Sequence, residues 1–127
     1  MKKLVPLSIL VSATVHAATF EERVDSANAA FETEQGEIYE RTLGPYIQAA
    51  IRKCASGGAV AKDSAGKFVL VADVSAQGKI VNPVVKPETP TSVCFSREFG
   101  AQVLSPPPDS LVSGGFAPLV VEVYIVP

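Results

Sequence analysis

Histidine occurs once in these 127 residues, at His16, and cysteine twice, at Cys54 and Cys94. His16 lies in a stretch expected to be removed, so the mature chain is expected to lack the side chain best suited to proton transfer near neutral pH, which is also the commonest metal ligand. No Gly-x-Ser-x-Gly string is present, and Asp63, Asp73, Asp109 and Glu122 stand singly, without the spacing of a paired acid and base. No group of His, Cys, Asp or Glu has metal-ligand spacing. Gly57-Gly58 and Gly114-Gly115 are too short for phosphate loops and read as turns. These absences argue against an enzyme and against a metal or cofactor.

A long apolar run is also missing. Met1-Lys2-Lys3 is a short cationic start, Leu4 to Val15 is apolar, and Val15-His16-Ala17 carries the small and β-branched residues that a signal peptidase reads. Spanning a bilayer takes about 20 apolar residues; this run is shorter and contains Pro6. Residues 1–17 are therefore expected to be a cleaved secretory signal, leaving no stable membrane anchor and placing the protein in the periplasm. No Cys follows the run to accept a lipid. Removing 17 of the 127 residues leaves 110, enough for one domain with a modest core. Nine bases then face thirteen acids, a net charge of −4.

That charge is uneven. Between Glu21 and Arg41 there are seven acids and two bases, a net of −5; from Thr42 to Pro127 the net is +1. An acidic segment disfavours nucleic acid and anionic lipid, which attract basic patches. The plain alternative is a solvated helix face.

Thr19 and Glu22 have capping-box spacing, and Phe20, Val24, Ala27 and Phe31 then fall on one helical face. Gly36 is a candidate break before Ile38, Tyr39 and Leu43 resume the pattern. A second helix is expected near Pro45, with Tyr46, Ile47, Ala50, Ile51 and Cys54 facing inward and Ser56-Gly57-Gly58 ending it. Residues 18–44 thus form an acidic helical segment ahead of the main module, residues 45–127. In that module, Phe68 to Val74 and Lys79 to Lys86 read as strands around Ala76-Gln77-Gly78, a hairpin turn. Phe68, Leu70, Ala72 and Val74 share the expected core face. Pro83 cannot donate to a ladder, which puts the second strand at a sheet edge or a bulge and favours the first strand at the centre. A helix opens near Pro90-Thr91-Ser92, either hydroxyl able to cap it, with Phe95, Phe99 and Val103 on one stripe. Pro106-Pro107-Pro108 stops that helix and steers the chain onward, or serves as a polyproline ligand. Leu119 to Val126 is a last strand, apolar on both faces. The fold class is α+β: a small, three-stranded, mainly antiparallel sheet with helices packed on one face.

In an exported chain, two cysteines are most simply one disulfide, Cys54–Cys94, tying the end of one helix to the start of another. Redox pairs are usually close in sequence, and these are far apart.

The succession Phe68-Val69-Leu70-Val71-Ala72-Asp73-Val74, Gln77-Gly78-Lys79-Ile80-Val81, a helix, Ser105-Pro106-Pro107-Pro108 and Leu119-Val120-Val121-Glu122-Val123 resembles the C-terminal periplasmic domain of TonB-type energy transducers. TolA C-terminal domains are similar in outline, and some carry a disulfide. The resemblance covers roughly residues 45–127. It implies a module that binds protein segments, often by pairing an extended peptide with an exposed strand edge. Transducers also carry a membrane anchor and a long Pro-rich spacer. Here Ala18 to Gly44 alone precedes the module, about 40 Å at most as helix, so the resemblance implies a fold and a mode of binding without energy transduction.

The expected function is therefore a soluble periplasmic adaptor or accessory of an envelope complex that binds a protein partner by strand addition. The alternative is an inhibitor or immunity-type protein that blocks an exported toxin or enzyme. The expected partner site is the last strand, through Leu119, Val121, Glu122, Val123 and Tyr124, with Tyr124 as an outward anchor and Glu122 selecting against acidic partners. The same edge would admit a second copy of the chain, as a homodimer. If the strand is instead central, or covered by the N-terminal helix, the site is lost.

Overall fold

A computed structural model describes residues 17–55 and 66–125. The expectations placed on the signal, on Ser56-Gly57-Gly58 and on Val126 lie outside them, except for Ala17. In chain order the elements are α1 (Phe20–Phe31), α2 (Glu34–Arg41), α3 (Gly44–Ala55), β1 (Gly66–Ser75), β2 (Ile80–Lys86), α4 (Pro90–Gly100), a 3-10 turn at Asp109–Leu111 and β3 (Phe116–Ile125). The fold is α+β, with one antiparallel sheet in the order β2-β1-β3.

β1 is central, the arrangement that Pro83 favours. Around Asn82-Pro83 the β1–β2 register slips between Val71↔Val84 and Asp73↔Val81, and Asn82 takes a φ of 53°. Proline thus sits where the ladder is already interrupted. The hairpin closes through Ser75, whose hydroxyl accepts from the Lys79 and Gln77 amides at 3.0 and 3.3 Å. Gly78 has a φ of 93°, and a Cβ there would run into the Leu104 carbonyl. The Leu104 amide in turn donates to the Gly78 carbonyl at 2.8 Å.

One face of the sheet, carrying Phe68, Leu70, Ala72 and Val74 of β1 with Ala117, Leu119, Val121 and Val123 of β3, is buried. The helical layer α3–α4 packs here: Phe95 meets Phe68 edge-on at 5.4 Å and stacks on Phe99 at 5.4 Å. The expected disulfide joins Cys54 to Cys94, with Cα atoms 5.8 Å apart, and holds α3 to α4.

α1 lies against the other side of β3 and β1. Arg23 reaches Asp73 at 3.7 Å and donates to the Asn82 carbonyl at 2.8 Å, and the Lys86 ammonium stands 5.0 Å from the centre of the Phe20 ring. Asp73 and Lys86 share a face with Val71 and Val120, which are buried in one cluster with Ala27 and Phe31. This accounts for the two-sided apolarity of β3: α3 and α4 form the expected helical layer on one face, and α1 from the N-terminal segment adds cover to the other.

Four local expectations shift. Ile51, expected to face inward on α3, is exposed. The α1–α2 break falls at Glu32-Thr33 and not at Gly36, because the Thr33 hydroxyl caps α2 by accepting from the Gly36 amide at 3.0 Å. Gly36 is instead a contact glycine: a Cβ would strike the Ala30 carbonyl and Phe31 Cα. α4 is capped by Thr89, one residue ahead of Pro90, in a box with Ser92. α4 also ends at Gly100, well before the triple proline, so Val103 leaves the helical stripe. It is 64% exposed and bridges Lys79, while Leu104 enters the core.

Candidate partner-binding edge

Each sheet has two outer strands, and here they differ. β2 is interrupted by its bulge and Pro83, and Arg23 occupies the Asn82 carbonyl. Beside it a groove of about 620 Å³ runs between Val84 and Val85 of β2 and Val93, Arg97 and Gly100 of α4. β3 pairs along its whole length with β1, from Gly66↔Ile125 to Ser75↔Phe116, and beyond that, among the described residues, only Phe116 is bridged, to Ser113. It carries Pro118, which has no N–H to offer, near its start. From Val120 to Tyr124 no proline interrupts it, and this stretch floors a groove of about 420 Å³.

The helices shape that groove. α1 ends on one face of the sheet and α3 begins on the other, so α2 must carry the chain around the outside of β3. It is fixed there by Tyr39, whose hydroxyl donates to the Ser105 carbonyl at 2.8 Å. Burial, and secondarily the Tyr46 phenol, push the Tyr39 pKa up to about 12. What α2 leaves open is the Val120–Tyr124 stretch, between Phe31 and Glu32 on one wall and Leu43 and Ile47 on the other.

The expected site residues divide by parity. Leu119, Val121 and Val123 are buried, so only their main chain can meet a partner. Glu122 and Tyr124 point outward, Tyr124 being 68% exposed. Lys67, opposite Tyr124 in register, pairs with Glu122 at 3.4 Å and lies 5.9 Å from the Tyr124 ring centre. An exposed pair of this kind contributes about 0–1 kcal/mol, and Lys67 offsets part of the charge by which Glu122 was expected to select. The structure adds Phe31, Glu32, Glu40, Leu43 and Ile47, which sequence reasoning did not assign to the site. The acidic bias of residues 21–41 touched Glu32 and Glu40, and helical apolar spacing touched Phe31, Leu43 and Ile47, but neither signal joined them to β3.

Among the described residues no group of three or more His, Cys, Asp or Glu could hold a metal ion, and no helix is long and apolar enough to cross a membrane. Comparison of the chain with protein-family models, curated proteins and solved structures finds no match.

Proposed function

We propose that this protein is a periplasmic protein-binding module, an adaptor or accessory of an envelope complex, that takes up an extended partner segment along the free edge of β3. The observation that carries the reading is the contrast between the two sheet edges: β2 is broken by a bulge and a proline, while β3 offers an uninterrupted stretch inside a groove. An unpaired edge presents a row of N–H and C=O groups that another chain can complete. Main-chain bonds then supply affinity, and pockets for alternate side chains supply selectivity. The order helix, hairpin, helix, proline bend and strand is the feature on which the likeness to TonB and TolA C-terminal domains rests.

A photo-crosslinking side chain in place of Tyr124 tests this in the cell. The expected result is one dominant adduct with an envelope protein, and slower amide exchange from Val120 to Tyr124 once that partner is added to the purified protein. Equal exchange with and without the crosslinked partner overturns strand addition at this edge.

A further inference from the structure

The partner's chemistry can be read from the groove, and this step rests on the reading of β3 as the docking edge. A segment added to β3 turns successive side chains to opposite faces of the sheet. One set meets the wall where Phe31 and Glu32 end α1; the other meets Glu40, Leu43 and Ile47 at the α2–α3 join. Each wall therefore combines apolar surface with one carboxylate. Among the described residues no lysine or arginine lines the groove. Glu122 on the floor has Lys67 as its partner, whereas Glu32 and Glu40 are exposed and have no ion pair among the described residues. Arg41 follows Glu40 in sequence but does not line the groove.

We propose that the groove selects an extended protein segment with a basic side chain directed at each wall, that is, Lys or Arg at two positions of opposite parity, such as neighbours, flanked by β-branched residues. The aliphatic stems of those side chains would lie along Phe31 and along Ile47, with the charged ends at Glu32 and Glu40. Two walls with one carboxylate each call for neighbouring bases; bases two apart would both face one wall. A second copy of the chain is the wrong occupant on charge, because its own β3 would bring Glu122 and another pair of acidic walls to the same place.

The test uses three capped hexapeptides, Thr-Val-Lys-Lys-Val-Thr and its Glu-Glu and Thr-Thr counterparts, titrated into the protein while the assigned amides of Val120 to Tyr124 are followed by NMR. The Lys-Lys peptide is expected to shift those amides and to bind about tenfold more tightly than the Glu-Glu peptide. Glu32→Gln with Glu40→Gln is expected to weaken it about fivefold, in line with partly exposed charge pairs, with circular dichroism unchanged. If all three peptides shift these amides with equal affinity, or the double variant binds Lys-Lys unchanged, the basic preference is wrong while edge docking stands. If none of the three moves these amides, edge docking fails and the preference with it. Sedimentation of the peptide-free protein as a dimer with these amides protected would make a second copy the occupant and overturn the proposal.

Discussion

Tyr39 does two things at one atom. Its hydroxyl anchors α2 to the Ser105 carbonyl, and its burial makes the phenolate costly, so its pKa rises to about 12 from 10.0. The folded form therefore keeps this proton where an unfolded tyrosine loses it. The resulting stability is fully present below pH 10 and is lost as pH climbs toward 12. An absorbance titration at alkaline pH is expected to show one phenol ionising late, and Tyr39→Phe is expected to remove it. That variant should also lose about 1 kcal/mol in urea unfolding, the net worth of a hydrogen bond. Glycine positions separate two effects that composition alone merges. Gly78 combines a φ of 93° with a close approach to the Leu104 carbonyl, whereas Gly114, at a φ of 62°, faces open space. Gly114→Ala is expected to cost about 1 kcal/mol, the left-handed penalty alone. Gly78→Ala is expected to cost about 3 kcal/mol, because strain and a displaced backbone add to that penalty. Denaturant midpoints of the two variants compare them directly.

At the scale of elements, α1 was legible in sequence because its cap and its stripe agree: the Thr19 amide donates to the Glu22 carboxylate at 2.8 Å, the Glu22 amide donates to the Thr19 hydroxyl at 3.1 Å, and Ala27 and Phe31 are buried. The hairpin was legible for a similar reason, with Gly78 and Pro83 marking the turn and the bulge. α4 was read less well. Its cap, Thr89, lies outside the Pro90-Thr91-Ser92 string, and the run to Val103 hid a helix end that depends on a non-local bond, Leu104 N–H to the Gly78 carbonyl. The groove was legible only on its β3 side. Its walls depend on α2 turning at Thr33 and crossing the sheet edge, which no local spacing expresses. Two variants test the element joints. Thr89→Ala removes the acceptor for the Ser92 amide and is expected to cost about 1 kcal/mol. Cys54→Ser with Cys94→Ser releases a link across 40 residues and is expected to cost roughly 4 kcal/mol by loop entropy. Urea unfolding of the oxidised protein and of the double variant measures the difference.

For the whole molecule, charge and architecture meet in residues 18–44, which wrap the acidic α1 and α2 around a sheet module whose net charge is +1. On the export reading, mass spectrometry of protein isolated without reductant is expected to show a chain beginning at Ala18, two hydrogens lighter than its reduced form. A start at Met1 would overturn that reading. The crossing of α2 has a further consequence, in time. With Pro118 behind it, it leaves an edge of only about five residues, roughly 17 Å of strand. So few main-chain bonds, each worth about 1 kcal/mol net, leave little surplus once the cost of association is met. A dissociation constant on the order of 10 to 100 μM with ordinary docking rates, about 10⁶ M⁻¹s⁻¹, gives a contact lasting roughly 10 to 100 ms. On the reading of β3 as a docking edge, a short edge of this kind implies a grip released within a fraction of a second, so that one molecule would visit many copies of its partner in turn.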